Sequence, residues 1–224
     1  MLLTNKTIIF KIFFVILFAL SIEHSFAQCF QIESILVDAC GSVEGENEMV
    51  RFKVGLSPLN ASNILATWPT GNSWLGICQN AATISATAAL NNSITSCGVL
   101  LQPPGGIIPA NASVLLITSP DVNTTANSFA NLNDTLYVIY QCVGNTLGHF
   151  SNNIASGMKT FSMSFSSPVG CSDAVTYNNA NLTGGNGAMV NFTPSGSPTY
   201  ANNGCTAPFT QNTIFNYQTT SCCS

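Results

Sequence analysis

Short apolar runs, broken by Gly, Pro, Asn and Ser, recur along most of this chain. The clearest is Met49–Val54, in which apolar side chains alternate with the basic Arg51 and Lys53. Residues 161–165 alternate in the same way between apolar side chains and serines. Alternation with a period of two is typical of a β-strand that buries one face. A first short strand is predicted at residues 35–37, the alternation recurs at residues 175–177 and 190–192, and two weaker strands are predicted at residues 64–68 and 98–101.

Two further runs, residues 113–118 and 135–142, are apolar on both faces and predict central strands of a sheet. A helix of any length is predicted only at residues 80–90, which are rich in Ala, and a short turn near residues 128–132. About ten short strands with so little helix predict an all-β fold. We expect an antiparallel β-sandwich that forms a single domain.

The first 27 residues have the composition of an export signal. Lys6 and Lys11 precede an apolar run at residues 12–20, and a Ser-Phe-Ala sequence at residues 25–27 fits the small–x–small cleavage pattern. The apolar run is shorter than a membrane-spanning helix requires. We therefore expect cleavage near Ala27 and a mature protein that is secreted or held at the cell surface, without a membrane span.

Charge is scarce beyond the predicted export signal and is concentrated in one place. Seven of the eleven charged residues after residue 27 lie between residues 33 and 53. Loss of the signal changes the net charge from −4 to −5. Arg51, Lys53 and Lys159 are the only basic residues left, so the chain lacks the positive surface that a nucleic-acid partner needs.

The charged window places four carboxylates around two glycines: Asp38, Glu44, Glu46 and Glu48. Calcium takes roughly six to eight oxygen ligands, so this loop is a candidate calcium site. In the alternative interpretation the loop is solvated, and Glu48 caps backbone amides or pairs with a basic side chain of the strand. Strand alternation places Glu48 on the inward face, where its carboxylate needs a partner.

All nine cysteines lie beyond the predicted signal, and an oxidising compartment favours their pairing. The candidates for internal disulfides are Cys29, Cys40, Cys78, Cys97, Cys142, Cys171 and Cys205. The adjacent Cys222 and Cys223 are strained as a mutual pair, so one of them is a candidate for an intermolecular bond. The absence of a C-x-x-C motif and the single histidine after residue 27, His149, argue against zinc. The sequence leaves the connectivity open.

Trp68 and Trp74 stand at the two ends of a predicted turn, where one ring can be exposed. They are therefore the candidate ligand-facing aromatics. A hydrolase would need a carboxylate pair across a cleft, or a serine beside His149. No G-x-S-x-G motif occurs, and His149 lies in a glycine-bearing turn where a structural hydrogen bond is the simpler role.

Five segments carry a resemblance to a known family. The first, residues 32–54, joins a short strand and an acidic glycine loop to the run Glu-Met-Val-Arg-Phe. The others follow in order at residues 108–117, 132–138, 172–177 and 187–200. Together they resemble the lamin-tail family of immunoglobulin-like sandwiches, in the style of secreted modules from gliding Bacteroidetes-type bacteria that use type IX secretion.

The resemblance implies an immunoglobulin-like domain over residues 28–205, a binding or scaffolding role, and no shared catalytic residues. The chain departs from the family pattern through the insertion at residues 68–101, through its cysteines, and through the lack of a sorting module at its end. The remaining residues, 206–224, are predicted to form a polar, peripheral tail. Because a fold does not fix a function, the role must be argued from the site.

We therefore expect a non-catalytic exported module that binds a surface glycan or protein, or scaffolds the extracellular matrix, with calcium as its candidate cofactor. Two alternatives remain open. One is a secreted hydrolase or the accessory domain of one. The other is a structural surface subunit that is cross-linked through Cys222 or Cys223.

Overall fold

The computed structural model describes residues 28–144, 146–152 and 157–208. The predicted export signal and the cysteines Cys222 and Cys223 lie outside them. The strands are β1 (Phe30–Asp38), β2 (Met49–Val54), β3 (Leu59–Asn60), β4 (Ile64–Thr67), β5 (Ile77–Cys78), β6 (Val99–Leu101), β7 (Ile107–Ile108), β8 (Ser113–Ile117), β9 (Thr135–Gln141), β10 (Met158–Phe165), β11 (Cys171–Asn178), β12 (Ala188–Phe192) and β13 (Pro198–Asn202). The α-helix α1 spans Ala81–Asn92, and single-turn 3-10 helices lie at Glu44–Glu46, Ala61–Asn63, Pro104–Gly106 and Asn179–Asn181.

The strands form a β-sandwich, which confirms the predicted all-β fold. The larger sheet has the order β13-β12-β1-β2-β8-β9-β5, and β6 also pairs with β9. The smaller sheet has the order β11-β10-β4, and β3 pairs with β7. Most pairs are antiparallel, but β8 and β6 both run parallel to β9. The predicted central strands, β8 and β9, do lie inside the larger sheet with a neighbour on each side.

The larger sheet is covered on both faces. One apolar cluster fills the space between the two sheets and includes Phe52, Val190, Phe161 and Tyr177. A second cluster lies on the other face, where Leu115, Val138 and Met189 pack beneath α1 and the loop before β9. This second layer explains why residues 113–118 and 135–142 read as apolar on both faces.

Helix α1 matches the predicted helix and has a clear start signal. The Asn80 side chain accepts a hydrogen bond from the Thr83 backbone N–H, and the Thr83 hydroxyl interacts reciprocally with the Asn80 backbone N–H, which forms a capping box. Ala86 and Leu90 of α1 are buried, and the Thr87 hydroxyl lies 3.0 Å from the Tyr140 hydroxyl of β9. The helix is therefore fixed to the outer face of the larger sheet.

Strand β1 is longer than the three residues that its sequence predicted, because a β-bulge interrupts its alternation. The register with β2 shifts between Ile32 and Ser34, which leaves Glu33 without a partner on that strand. A bulge redirects the side chain of the extra residue. Here it brings the Glu33 carboxylate within 2.8 Å of the Arg51 Nε, on the face opposite the intersheet core. The Arg51 side chain is 3% exposed, so this is a buried ion pair.

Three disulfides join residues that are far apart in the sequence: Cys29–Cys171, Cys40–Cys205 and Cys78–Cys142. The first links the start of β1 to β11 and so ties the two sheets together. The closed segments run from 64 to 165 residues, and loops of that size contribute about 4–5 kcal/mol each in the chain-entropy description. Cys97 is disulfide-bonded as well. This pairing fits an oxidising, extracellular environment.

No helix among the described residues is long and apolar enough to cross a membrane. The predicted export signal stays a prediction, since it lies before residue 28.

The buried pair of Glu33 and Arg51 gives a direct test of the packing on the outer face. Arg51→Leu would leave the Glu33 carboxylate buried without its cation, and we expect the free energy of unfolding to fall by about 3–5 kcal/mol in urea denaturation. The double variant Glu33→Leu/Arg51→Leu removes both charges and should recover most of that loss. If Arg51→Leu were as stable as the wild type, the Glu33 carboxylate would not be a buried charge that depends on Arg51.

Candidate functional site

The acidic loop and the segment 146–152 pack against each other at the end of the sandwich where β1 finishes and β2 starts. Asp38 closes β1, Glu44 and Glu46 lie in the 3-10 turn, and Glu48 directly precedes β2. Gly45 is buried under the segment, and a Cβ atom at that position would overlap the Leu147 carbonyl. Glycine at this position therefore permits the close approach of the two segments.

Glu48 is fully buried, and both of its carboxylate oxygens accept hydrogen bonds. Oε2 accepts from the His149 backbone N–H at 2.6 Å and from the His149 ring Nδ1 at 2.9 Å. Oε1 accepts from the Phe150 backbone N–H at 3.0 Å. Glu48 therefore caps backbone amides, as the alternative interpretation of the sequence had it. The prediction that it ligates calcium is wrong, because its oxygens face protein donors inside the core.

The hydrogen-bond partners of His149 fix the position of its proton. The Trp68 indole N–H can only donate, and it donates to Gln141 Oε1 at 3.1 Å. The Gln141 amide nitrogen therefore faces the Thr118 carbonyl at 3.3 Å and the His149 Nε2 at 2.9 Å. Nε2 must accept that bond, so the ring proton is on Nδ1 and is donated to Glu48. We call this series of hydrogen bonds, from Glu48 through His149 and Gln141 to Trp68, the buried relay.

Burial sets the charge state of the relay. It lowers the pKa of His149 to about 4, so the imidazole is neutral at neutral pH. Burial also raises the pKa of Glu48, while its hydrogen bonds from the His149 and Phe150 backbone amides act in the opposite direction. The three N–H donors around the Glu48 carboxyl favour the carboxylate. Because both His149 nitrogens are engaged and the residue is 0% exposed, the ring has a structural role in this turn.

Trp68 does not face a ligand, which corrects the prediction for this residue. It is 2% exposed, its ring stacks on Phe161 with a centroid distance of 5.0 Å, and it meets Phe150 edge-on at 5.5 Å. The reason is the buried relay, which supplies an internal partner for the indole N–H. Trp74 is half-buried, and its N–H donates to the Ile64 carbonyl at 2.9 Å. Its role in binding stays a prediction.

Asp38 and Glu44 form a second acidic group beside the relay, joined by Asn152. The Asn152 amide donates to Glu44 Oε1 at 2.7 Å and also hydrogen-bonds the Asp38 carboxylate. Burial raises the pKa of Glu44 to about 7, with further contributions from the negative charges of Glu48 and Asp38. Burial also raises the pKa of Asp38, and the Asn152 hydrogen bond opposes that rise. We call Asp38, Glu44 and Asn152 the acidic pair site.

Glu46 is half-exposed. Across residues 28–144, 146–152 and 157–208, no three His, Cys, Asp or Glu side chains are arranged to hold a metal ion. The groups that could contribute to a cation site are the Asp38 and Glu44 carboxylates and the Asn152 side-chain oxygen, with water completing the shell. Of the four predicted ligands, Asp38 and Glu44 therefore lie at this site. Glu48 lies in the core, and Glu46 lies in the 3-10 turn outside the site.

Two residues that matter here were not selected from the sequence. Gln141 is the one amide side chain in the apolar run 135–142, and a polar group in such a run requires a buried partner. That signal could have indicated its role. Asn152 is one of many asparagines in loops, and nothing in the sequence distinguished it.

Comparison with known proteins identifies no relative: no family model, characterised protein or solved structure matches this chain. The argument for function therefore depends on the geometry of the site.

The capping role of Glu48 predicts a large loss of stability on a nearly isosteric change. Glu48→Gln would place an amide NH₂ against either the His149 donors or the Phe150 N–H, so we expect a loss of about 2–4 kcal/mol in the free energy of unfolding. Glu46→Gln, which removes the same charge from the same loop, should change stability by less than about 0.5 kcal/mol. Equal stability of the two variants in urea denaturation would contradict the assignment.

The raised pKa of Glu44 predicts that its carboxyl group lowers the stability of the folded protein as the pH rises. Since the folded state holds this proton more tightly than the unfolded chain, the contribution of Glu44 to stability is fully present below pH 4.5 and is lost as the pH rises to about 7. Glu44→Gln keeps an acceptor for Asn152 and removes the charge. Thermal melts should show the variant gaining stability over the wild type as the pH increases from 4.5 to 8. A difference that does not vary with pH would contradict the assignment.

Proposed function

We propose that this protein is an exported, non-catalytic module that binds a glycan or protein, or scaffolds other components, at the cell surface or in the extracellular matrix. The observation that carries the proposal is the buried relay. His149, the one histidine after residue 27, and Glu48 beside it are committed to joining strands and loops in the core. A general base needs hydrogen-bond access to a substrate proton, and these two groups have neither exposure nor a free site.

The proposal includes the lamin-tail-like assignment and export by the segment 1–27. The five segments that carry the resemblance include β1–β2, β8, β9, β11 and β12–β13, all of which contribute to the intersheet core. The acidic residue of the Glu-Met-Val-Arg-Phe run is Glu48, which precedes β2 and whose carboxylate organises this end of the sandwich. Disulfides with long sequence separations support a protein that works outside the cell.

The proposal also includes a cation at the acidic pair site. Asp38 and Glu44 repel each other and the buried charge of Glu48, and this repulsion contributes to the raised pKa of Glu44. A bound divalent cation would remove that repulsion. Calcium suits the site best, because it accepts few protein oxygens together with water and does not demand a rigid octahedron.

A thermal melt with excess calcium and with chelator tests the cation. We expect calcium at about a hundred times its dissociation constant to stabilise the protein by ~2.7 kcal/mol. Glu44→Gln and Asp38→Asn should each abolish the shift, whereas Glu46→Gln should keep it. No shift in the wild type, or an equal loss in all three variants, would exclude the acidic pair site as the cation site.

Assays on a panel of glycoside, ester and peptide substrates separate the proposal from the hydrolase alternative. The purified protein should show no turnover above that of the Glu44→Gln and His149→Gln variants. Turnover that disappears in either variant would overturn the non-catalytic assignment. The activity assay and the calcium melt test separate parts of the proposal, so a failure of one leaves the result of the other standing.

A further inference from the structure

A cavity of ≈ 270 Å³ lies at the end of the larger sheet opposite the acidic pair site. Strand β1 begins here and β2 ends here, whereas the acidic pair site lies where β1 finishes and β2 starts. The nine residues of β1 put about 30 Å between the two ends. The cavity is therefore a separate site, and no residue of the buried relay or of the acidic pair site lines it.

Strand pairing brings the polar side chains of this cavity together. Gln31 of β1 lies opposite Lys53 of β2, and Lys53 lies opposite Ser113 of β8. The Lys53 ammonium donates to the Ser113 hydroxyl at 3.4 Å. The bulge in β1 turns the Glu33 carboxylate to the same face of the sheet. An amide, an ammonium group and a carboxylate therefore line one cavity.

Two loops and the start of the described chain form the rim of the cavity. The Asn111 N–H donates to the Gly55 carbonyl at 2.8 Å, which holds the loop before β8 against the loop after β2. A Cβ atom at Gly55 would overlap the Gln28 carbonyl, so glycine permits this close approach. Asn111 is exposed, and Leu56 is 75% exposed. The rim therefore adds amide groups and an apolar surface to the charged wall.

The charges that act at the cavity cancel. Burial lowers the pKa of Lys53 and of Arg51, and the negative charges of Glu33 and Asp134 oppose that change in both groups. Arg51 pairs with Glu33 at 2.8 Å. Two positive and two negative groups leave no net charge, so the cavity does not attract a ligand of either sign.

Hydroxyl groups match this mixed lining best. A hydroxyl both donates and accepts, so it can bond a carboxylate, an ammonium group and either side of an amide. A charged ligand would instead meet a group of its own sign at close range, and burying a charge without a partner costs free energy. Ligand sites typically have volumes of about 300–1,000 Å³, so this cavity suits a ligand at the small end of that range.

We propose that this cavity binds a neutral sugar unit, with Glu33, Lys53 and Asn111 as its hydrogen-bonding groups and Leu56 as its apolar contact. The inference rests on the proposed binding role and specifies its ligand as a neutral glycan. Because the site lies about 30 Å from the acidic pair site, it binds the sugar without calcium. Glycan binding and the cation thus belong to opposite ends of the sandwich.

Saturation-transfer NMR with methyl glycosides tests the ligand class. The neutral probes are the methyl glycosides of glucose, galactose, mannose and N-acetylglucosamine; methyl glucuronide and methyl glucosaminide are an anion and a cation of similar shape. We expect at least one neutral glycoside to bind, and both charged probes to bind more weakly by about tenfold or more. If no neutral glycoside bound, or if a charged probe bound as tightly as the best neutral one, the proposal would be overturned.

Variants of the cavity test the location. Lys53→Met removes the ammonium group, and Asn111→Gly removes the amide while suiting the φ of 58° at that position. Each should weaken binding of the best neutral glycoside by about tenfold. Lys159→Met and Asn186→Gly make the same changes outside the cavity and should leave binding unchanged. Thermal melts confirm that each variant is folded.

A calcium chelator separates this site from the acidic pair site. Sugar binding should be equal with chelator and with excess calcium. Binding that the chelator abolishes, or that neither Lys53→Met nor Asn111→Gly weakens, would overturn the assignment to this cavity. Either result would still leave a module that binds glycans, so the proposed function would stand.

Discussion

The buried carboxylate of Glu48 is the interaction on which this structure depends most. Its two oxygens accept three N–H donors from His149 and Phe150, and they do so inside the core. A carboxylate in that position is stable only while those donors remain, because burying an unpaired charge costs several kcal/mol. The requirement fixes the segment 146–152 against β2 and sets the tautomer of His149. Through Gln141 it also places Trp68 between the two sheets.

The same carboxylate shapes the chemistry of the surface beside it. Asp38 and Glu44 lie near a negative charge that water screens poorly, and the Asn152 amide is the group that joins them. Burial raises the pKa of both carboxyl groups, and repulsion from Glu48 and Asp38 adds to the rise for Glu44. Four of the eight carboxylates after residue 27 therefore lie at one end of the sandwich, where part of this charge is structural and part faces solvent. This division of roles is the physical basis for the proposed cation-dependent module.

Local sequence patterns predicted the secondary-structure elements that are determined by neighbouring residues in the sequence. Alternation in Met49–Val54 gave the bounds of β2, and the Ala-rich stretch after Asn80 gave α1 within two residues. The length of β1 was missed because the bulge at Glu33 breaks the alternation. The parallel pairing of β9 with β6 and β8 depends on how distant segments meet, and no local pattern encodes it.

The candidate site was predictable only in part. The acidic loop was visible as a concentration of charge, and the inward position of Glu48 followed from strand alternation. The donors that satisfy it come from about a hundred residues away, so the sequence could not separate a cap from a metal ligand. Trp68 was misplaced for the same reason, since its partner Gln141 lies on a distant strand.

Nitrogen-detected NMR of the imidazole of His149 is the measurement that tests the buried relay most directly. His149 is the one histidine after residue 27, so its two ring nitrogens can be assigned without ambiguity. The structure predicts a proton on Nδ1, none on Nε2, and no titration of the ring between pH 8 and about pH 5, because its pKa is lowered to about 4. A proton on Nε2, or a ring that titrates near its ordinary pKa of about 6.5, would contradict the relay and the account of function that depends on it.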